Sequence, residues 1–423
     1  MTPLHGIASR SDLPLPFEAV LAGAGAVLLL TFWILLFAWR RPRYDDDTGT
    51  PMPRLTRFVD SPPVALGLRV LVGAVWLLAA VALVLGADRI DNPAVGFIYV
   101  WLWVGLVVVS LPFGQVYAAT SPVRSLLAWR GATVRHTDDR GSRVPGAIAL
   151  LAFLFLELVV PGGVTLPVLR AAAAIWLVWV LAGALRSTAW IGRAEPFEVY
   201  ASTVARMSPW RRRDGVIHRL GPLRNLASWA PPSGTWAVAV VLLGGTAFDA
   251  LSNSAAWVRA TQDSAVPAWL LGTAGLLSAV GLVWALYAIG CRPLRDGASL
   301  RATMDRYSTG LVPLVVGYCS AHYGTMFYLE GQRTAIWFND PLGRGHNLFG
   351  FVEAAPDVTL FAFPAVVAWT QVLLIVGGHI LGVLVTHDIA LRAPTVGTAR
   401  HQLPLLVVMV AFTVGGLLLM FGG

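Results

Sequence analysis

The sequence predicts an all-α protein that crosses a membrane many times. Composition, long apolar runs and the placement of arginine all point to this class. Of its 423 residues, 56% are hydrophobic and only 13% are charged, whereas an ordinary soluble domain carries roughly 25% charged residues. Seventeen Trp residues fit the same class, because indole rings gather where hydrocarbon meets lipid headgroups. The chain lacks the polar side chains that would cover a soluble surface.

Apolar runs long enough to span a bilayer recur along the whole chain. A spanning helix needs about 20 mainly apolar residues. Such runs occur near 17–39, 66–87, 95–113, 146–162, 166–187, 236–258, 267–290, 309–330, 358–385 and 403–421. We therefore predict one integral membrane domain over residues 1–423, a polytopic bundle of about ten helices with no soluble catalytic domain attached.

The arginines predict how the bundle is oriented. The chain contains no lysine, and 24 of its 31 arginines lie in or beside five loops, 40–65, 114–145, 188–235, 291–308 and 386–402. The remaining loops and the N-terminal tail hold Arg10, Arg89, Arg259, Arg333 and Arg344. Because cytoplasmic loops carry the excess of Arg and Lys, both termini are expected outside. Arginine confined to loops is a topology signal, so we expect no nucleic-acid partner.

Two loops are long enough to carry more than a connection. The cytoplasmic loop 188–235 contains the amphipathic stretch Glu195–Tyr200 and the cluster Pro209–Arg213. This pattern predicts an interfacial helix on anionic headgroups, with a partner-docking site as the alternative. The outer loop 331–357 is dense in turn-forming residues. We expect it either to cap a cavity between helices or to serve as a connector.

The sixth apolar run carries polar residues on one helical face. Thr246, Asp249 and Asn253 are spaced three and four apart, so they lie on the same side of a helix. An ionisable group inside a span costs about 2.5–3.5 kcal/mol on insertion scales, and it usually faces a cavity or a partner. Asp249 is therefore predicted to be a carboxylate ligand or a proton acceptor. The alternative is an interhelical hydrogen-bond patch.

The eighth run presents a stripe of potential ligands. Cys319, His322, Met326 and Glu330 fall within an arc of roughly 60° on a helix. Sulfur and imidazole donors suit copper or zinc, and Glu330 could act as ligand or base near the outer end. The competing interpretation is an ordinary core, because Met and buried Cys commonly fill apolar space.

The ninth run contains two histidines that cannot share a metal by themselves. His379 and His387 are eight residues apart, about 12 Å and 80° along a helix. His379 is predicted to lie about 10 Å closer to the cytoplasm than Asp249 and His322, which share one height. His387, beside Asp388, is expected to be a solvated histidine at the inner interface. His5, in the N-terminal tail, is a minor candidate for copper.

These residues suggest one outer cavity lined by Asp249, His322 and Glu330. Its candidate metal ligands are His322, His379, Asp249 and Cys319, for copper or another divalent metal. Its candidate catalytic residues are Glu330 and Asp249.

The sequence resembles a family along almost its whole length. The motifs are His5-Gly6-Ile7 with Asp12-Leu13-Pro14, Glu195–Tyr200 with Ala205–Pro209, Thr246–Asp249, His322-Tyr323, Glu330-Gly331-Gln332, Asp340–Gly343, Gly378-His379, His387-Asp388 and Gln402-Leu403-Pro404. In these motifs the chain resembles the actinobacterial multi-spanning membrane proteins called fenitrothion hydrolase. The resemblance implies a bacterial plasma membrane location, hydrolysis of an organophosphate ester, and an emphasis on His322, His379 and Asp249.

The residues alone leave the function open. The sequence has no Gly-x-Ser-x-Gly elbow, no His-Glu-x-x-His motif and no P-loop. The leading hypothesis is a membrane-embedded hydrolase acting on a hydrophobic small molecule from the lipid, with a polar and metal-binding cavity. Rival hypotheses are a transporter or metal-handling permease, and a non-catalytic subunit of a membrane complex. A haem protein would need ligands at one height, which His322 and His379 do not offer.

Overall fold

The protein is a helical membrane bundle. The computed structural model describes residues 16–44, 48–129, 141–185, 187–350, 353–393 and 398–421. About 75% of the chain is helical, and eight helices in the described part are long and apolar enough to cross a membrane. The predicted all-α, multi-pass class is therefore confirmed. His5 lies outside the described residues.

Loops of varied length join the helices, and the described residues also form one three-stranded sheet. The α-helices are α1 Phe17–Ala38, α2 Pro53–Val59, α3 Pro62–Leu85, α4 Pro93–Gly96, α5 Leu106–Phe113, α6 Val116–Thr120, α7 Pro122–Trp129, α8 Val144–Leu158, α9 Leu166–Ala184, α10 Ala189–Ala194, α11 Pro196–Val204, α12 Pro222–Ala227, α13 Thr235–Ser252, α14 Ala255–Gln262, α15 Ala268–Cys291, α16 Leu300–Trp337, α17 Pro364–Ala390 and α18 Ala399–Phe421. A π-helical segment, Phe97–Gly105, joins α4 to α5. The strands are β1 Thr50–Pro51, β2 Trp210–Arg213 and β3 Val216–Arg219.

The arginine-rich loops meet at one end of the bundle. Strand β3 pairs antiparallel with β1 and with β2, in the order β1-β3-β2, and so joins the loop after α1 to the loop after α11. Arg212 holds both carboxylate oxygens of Asp60 at 2.7 Å. This hydrogen-bonded cation lowers the pKa of Asp60. We call this end of the molecule the arginine-rich end.

The remaining connections meet at the opposite end. The amide of Ala87 donates to the carbonyl of Leu342, and the amide of Leu166 donates to the Asp88 carboxylate at 3.0 Å. The loop 338–350 therefore packs against the loop that follows α3. Residues 331–337, which the sequence suggested as part of the outer loop, belong instead to the last turns of α16.

The centre of the bundle is a tight contact between α16 and α17. A Cβ atom on Gly317 would lie 2.4 Å from the carbonyl oxygen of Leu374, and one on Gly378 would lie 2.4 Å from that of Pro313. Gly310 and Gly382 approach the facing helix in the same way. Small residues let helix backbones touch inside membranes, where van der Waals contact replaces hydrophobic attraction. We call these four positions the glycine seam.

Helix α11 corrects one prediction. The stretch Glu195–Tyr200 was expected to lie on the membrane surface, but all nine residues of α11 are buried, and the helix packs against α5, α6, α8 and α10. The interfacial prediction is wrong because the polar side chains of this segment have partners inside the protein. The carboxylate of Glu198 pairs with the guanidinium of Arg124, for example, so no lipid headgroup is needed.

The glycine seam predicts a position-specific loss of stability. In Gly317→Ala the new methyl group meets backbone atoms that cannot rotate away, so we expect the free energy of unfolding to fall by about 1–3 kcal/mol. The matched control is Gly324→Ala on the same helix, where a Cβ atom meets nothing within 4 Å. Thermal unfolding in mild detergent measures both. Equal stability of the two variants would contradict the seam.

Candidate functional site

The site is built around a buried pair of ionisable side chains. His322 Nε2 on α16 lies 3.1 Å from Asp249 Oδ2 on α13, and the two residues are only 3% and 2% exposed. Helices α13 and α16 pack against each other along this region. The two side chains that the sequence placed at one height are therefore in direct contact.

The polar face of α13 continues on both sides of Asp249. The side-chain amide of Asn253 donates to Asp249 Oδ1 at 3.1 Å and to its carbonyl at 2.8 Å. Thr246 Oγ1 lies 3.8 Å from Cys319 Sγ. Because Asn253 is exposed and sits one turn further along the helix, the pair lies about 6 Å below the surface of the opposite end.

Aromatic rings form the wall of the site. The ring centroid of His322 is 4.6 Å from that of Tyr323 and 6.1 Å from that of Tyr318. Trp103 bridges the wall, with its ring 5.9 Å from Tyr323 and 5.2 Å from Tyr200. The Tyr323 hydroxyl is close enough to Asp249 to interact with its carboxylate. These buried rings pack around the pair and shield it from solvent.

The π-helical segment Phe97–Gly105 supplies part of this wall. Tyr99 and Trp103 both lie on its buried side, and the Tyr99 hydroxyl donates to the carbonyl of Gly163 at 2.8 Å. π-helical turns are rare and are frequent at functional sites. This distortion could not be predicted, because the composition of the segment is that of any apolar span.

Glu157 is a site residue that the sequence analysis missed. It lies on α8, and its carboxylate interacts electrostatically with Asp249 and Cys319. Its Oε2 atom is buried, with no hydrogen-bond partner among the described residues. The available signal was a lone carboxylate in an apolar run, the same signal that singled out Asp249. The site thus contains a second buried carboxylate oxygen within electrostatic range of Asp249.

Helix α11 carries Tyr200 into the interior. Its first turn is held by Glu195, which accepts hydrogen bonds from the Glu198 amide and, at 3.0 Å, from the Trp176 indole. Burial, together with the neighbouring charge of Glu198, raises the pKa of Glu195 to about 7. The Tyr200 hydroxyl interacts with Cys319. The ionic contacts at the start of α11 therefore position one wall of the site.

Two of the predicted site residues lie away from the pair. Glu330 forms an ion pair with Arg333 at 2.6 Å, and it is eight residues, about 12 Å of helix, from His322. His379 is fully buried, and its Nδ1 is hydrogen bonded to Thr413 on α18, whereas its Nε2 has no partner within the described ranges. The structure therefore brings Asp249 and His322 together, with Cys319 beside them, but places Glu330 and His379 elsewhere.

His387 belongs to a separate polar cluster at the arginine-rich end. It is 2% exposed, and its ring nitrogens contact Gln402 Oε1 at 2.7 Å and the carbonyl of Trp39 at 3.0 Å. The expectation of a solvated histidine is wrong, because the chain after α1 folds over it. The fully buried carboxylate of Asp388 accepts from the Arg43 amide at 2.6 Å and from Arg392 at 2.7 Å. The role of this cluster is to fasten α1 to α17.

The described residues do not form a cluster of ligands for the predicted metal ion. In the part of the chain that the structure describes, no group of three or more His, Cys, Asp and Glu side chains is arranged to hold a metal ion. The pair alone offers one nitrogen and one carboxylate. Such a pair is a carboxylate that fixes the orientation of an imidazole.

Comparison with known proteins returned no relatives. No protein-family model, no curated protein and no solved structure matches the chain.

The Glu195 network predicts a pH-dependent stability. Glu195 binds its proton more tightly in the folded protein, where its pKa is about 7, than unfolded, where the ordinary value is 4.5. The free energy of unfolding should therefore fall as pH rises from about 4.5 to 7. Glu195→Gln should flatten this dependence. Thermal unfolding across that range measures it.

The matched control is Glu353→Gln, which removes an exposed carboxylate. This variant should keep the wild-type pH profile. A Glu195→Gln protein with an unchanged profile would show that this carboxyl group does not carry the effect.

Proposed function

We propose that the protein is a membrane-embedded hydrolase of hydrophobic esters, with organophosphate esters as the substrate class that the family resemblance indicates. The single observation that carries the proposal is the buried hydrogen bond between Asp249 and His322. A buried carboxylate that orients an imidazole is the arrangement used for general base catalysis. The resemblance of the motifs to fenitrothion hydrolase supplies the substrate class.

The proposed chemistry needs only the pair and a water molecule. An ionised Asp249 can only accept, so it fixes the His322 ring proton on Nε2 and leaves the lone pair on Nδ1. Nδ1 takes a proton from water as the oxygen attacks the phosphorus atom. The bond to the aryl leaving group breaks, and the leaving group departs as a phenolate that requires no proton. The imidazolium, stabilised by Asp249, returns its proton to solvent.

The surroundings of the pair support an apolar substrate. The aromatic wall of Trp103, Tyr200, Tyr318 and Tyr323 offers ring faces to an aryl ester. The exposed Asn253, which donates to Asp249, lies one helical turn away, about 6 Å along α13. A hydrophobic ester that partitions into lipid would reach such a site from the bilayer, and water would reach it from the end of the bundle.

The separation of the two polar clusters favours a site closed on one side. Between the pair and the His387 cluster lie the glycine seam and Met409, which is 1% exposed and contacts Thr386. A permease requires a polar path to both faces, whereas an enzyme requires access from one. This packing therefore supports the hydrolase over the transporter.

Buried His379 favours a permease as the second candidate function. Its Nε2 atom has no partner in the described chain. His379 lies on α17 between the Asp249–His322 pair and the His387 cluster, so it would carry a proton or a metal ion from one to the other. Flux measurements in proteoliposomes distinguish this candidate. Transport that is lost in His379→Ala would favour the permease.

The proposal also includes the number of membrane spans and their orientation. We propose ten spans, with α8 and α16 added to the eight apolar helices, both termini outside, and the arginine-rich end in the bacterial cytoplasm. The pair would then lie near the outer face of the plasma membrane. Single cysteines introduced at Asn253 and at Arg54 test this orientation. A membrane-impermeant thiol reagent added outside intact cells should label the first position and not the second.

The activity is tested with purified protein in lipid nanodiscs. The probe is an aryl phosphotriester with a nitrophenol leaving group, followed by absorbance. We expect His322→Ala to lower kcat/KM by about 10²- to 10⁴-fold, the usual contribution of a general base. Asp249→Asn should act in the same direction, because it removes the group that orients the ring.

The matched control is His346→Ala, an exposed histidine in the loop 338–350, which should keep full activity. Metal analysis and chelation of the active protein distinguish general-base catalysis by His322 from metal-dependent hydrolysis. A metal-dependent enzyme loses turnover when the metal is chelated. Undetectable hydrolysis by well-folded wild-type protein would remove the hydrolase. If the wild-type protein were inactive and His322→Ala disturbed only the assembly of a larger complex, the protein would be a non-catalytic subunit of that complex.

A further inference from the structure

A cleft lies at the arginine-rich end, and neither Asp249 nor His322 lines it. It is an open cleft of about 760 Å³ between the segment after α12, the start of α16 and the end of α17. Its charged and aromatic lining consists of Trp229, Asp296, Arg301, Asp305, Arg306 and Arg392. The proposed hydrolase does not use this cleft.

The cleft is rich in hydrogen-bond donors that lack acceptors. Arg301 and Arg306 are exposed, and among the described residues neither side chain has a hydrogen-bond or ion-pair partner. The Nε atom of Arg392 and the indole nitrogen of Trp229 are buried and also without a partner in the described chain. Trp229 is only 6% exposed, so its N–H has little access to bulk water. The buried donors of Trp229 and Arg392 are costly to leave without an acceptor, and the exposed Arg301 and Arg306 can donate to the same ligand.

The carboxylate of Asp305, inside the cleft, already has hydrogen-bond donors from the backbone. The carboxylate of Asp305 accepts from the backbone amide of Trp236 at 3.3 Å, and it also faces the amides of Gly234 and Thr235 at the start of α13. Asp296 is exposed and lies near the turn before α16. Arg392 is already paired with Asp388, so the guanidinium groups that the cleft offers to a ligand are those of Arg301 and Arg306.

Trp229 is held rigidly by two further cations. The guanidinium of Arg206 lies 4.7 Å from its ring centroid, and that of Arg143 lies 5.4 Å away. Cation–π contacts of this kind fix the ring and add positive potential behind it. The nearby guanidinium of Arg392 is fixed in a similar way, because it donates to the carbonyls of Ala227 and Tyr44 at 2.9 Å.

We propose that this cleft binds the phosphate group of an anionic ester. Arginine is the residue suited to phosphate, because its planar fork offers paired donors to two oxygens. The ligand is either the headgroup of an anionic phospholipid, since the cleft opens at the helix ends where headgroups lie, or a soluble phosphate monoester. Both present the same chemistry to Arg301, Arg306 and the Trp229 indole.

The test is a binding titration on full-length protein in detergent micelles. The probes are dihexanoyl phosphatidylglycerol and glycerol 3-phosphate, each followed by isothermal calorimetry. The double variant Arg301→Gln/Arg306→Gln should raise the Kd of the bound probe about tenfold or more, as expected for the loss of charge-assisted contacts. Trp229→Phe keeps the ring and removes only the N–H, and it should weaken binding in the same direction.

The matched control is Arg54→Gln/Arg57→Gln, which removes two exposed charges at the same end of the molecule but outside the cleft. It should leave the Kd of either probe nearly unchanged. Weakening by the cleft variant with the lipid probe alone would identify a headgroup site, and with glycerol 3-phosphate alone a soluble-ester site. No binding of either probe, or an equal loss in the control, would overturn the proposal.

Discussion

The structure depends on one constraint: hydrocarbon offers no hydrogen-bond partner, so ionisable groups inside the bundle gain stability by pairing within the protein. Asp249 meets His322, Asp388 gathers donors from Arg43 and Arg392, and Glu198 meets Arg124. These contacts join segments that are far apart in the chain. The polar residues therefore decide which helices are neighbours, and the apolar residues fill the space between them.

The same constraint separates the protein into two chemical regions. Near the opposite end, the pair is surrounded by aromatic rings and a second carboxylate, Glu157. At the arginine-rich end, the His387 and Asp388 cluster is fully bonded and acts as a fastening. The glycine seam lies between them, with backbones too close for water. The buried pair and the polar cluster are therefore separated by closely packed backbone.

Much of the fold could be predicted from the sequence because its signals are strong and local. Apolar runs located the long helices, and the arginines grouped the loops that the structure brings together at each end. The convergence of Asp249 and His322 followed from depth, since the positions of both residues within their apolar runs place them at a similar height. Glu330 lies on the same helical face as His322, but residues on one face can lie at different depths in the membrane. Glu330 pairs with Arg333 instead.

The parts that escaped prediction have physical reasons. An amphipathic helix on headgroups and one inside a polar pocket have the same sequence pattern, so α11 could not be placed without its partners Arg124 and Trp176. The π-helical turn that presents Trp103 depends on backbone geometry, which composition does not record. His387 looked solvated because the segment that covers it, Trp39–Tyr44, is distant in sequence.

The central claim is that Asp249 and His322 act as a coupled unit inside the membrane. A double-mutant cycle tests it directly, using the free energy of unfolding of Asp249→Asn, His322→Gln and the double variant. A hydrogen-bonded buried pair predicts an interaction energy of about 0.5–3 kcal/mol. Additivity within about 0.3–0.5 kcal/mol, the behaviour of independent sites, would contradict the account.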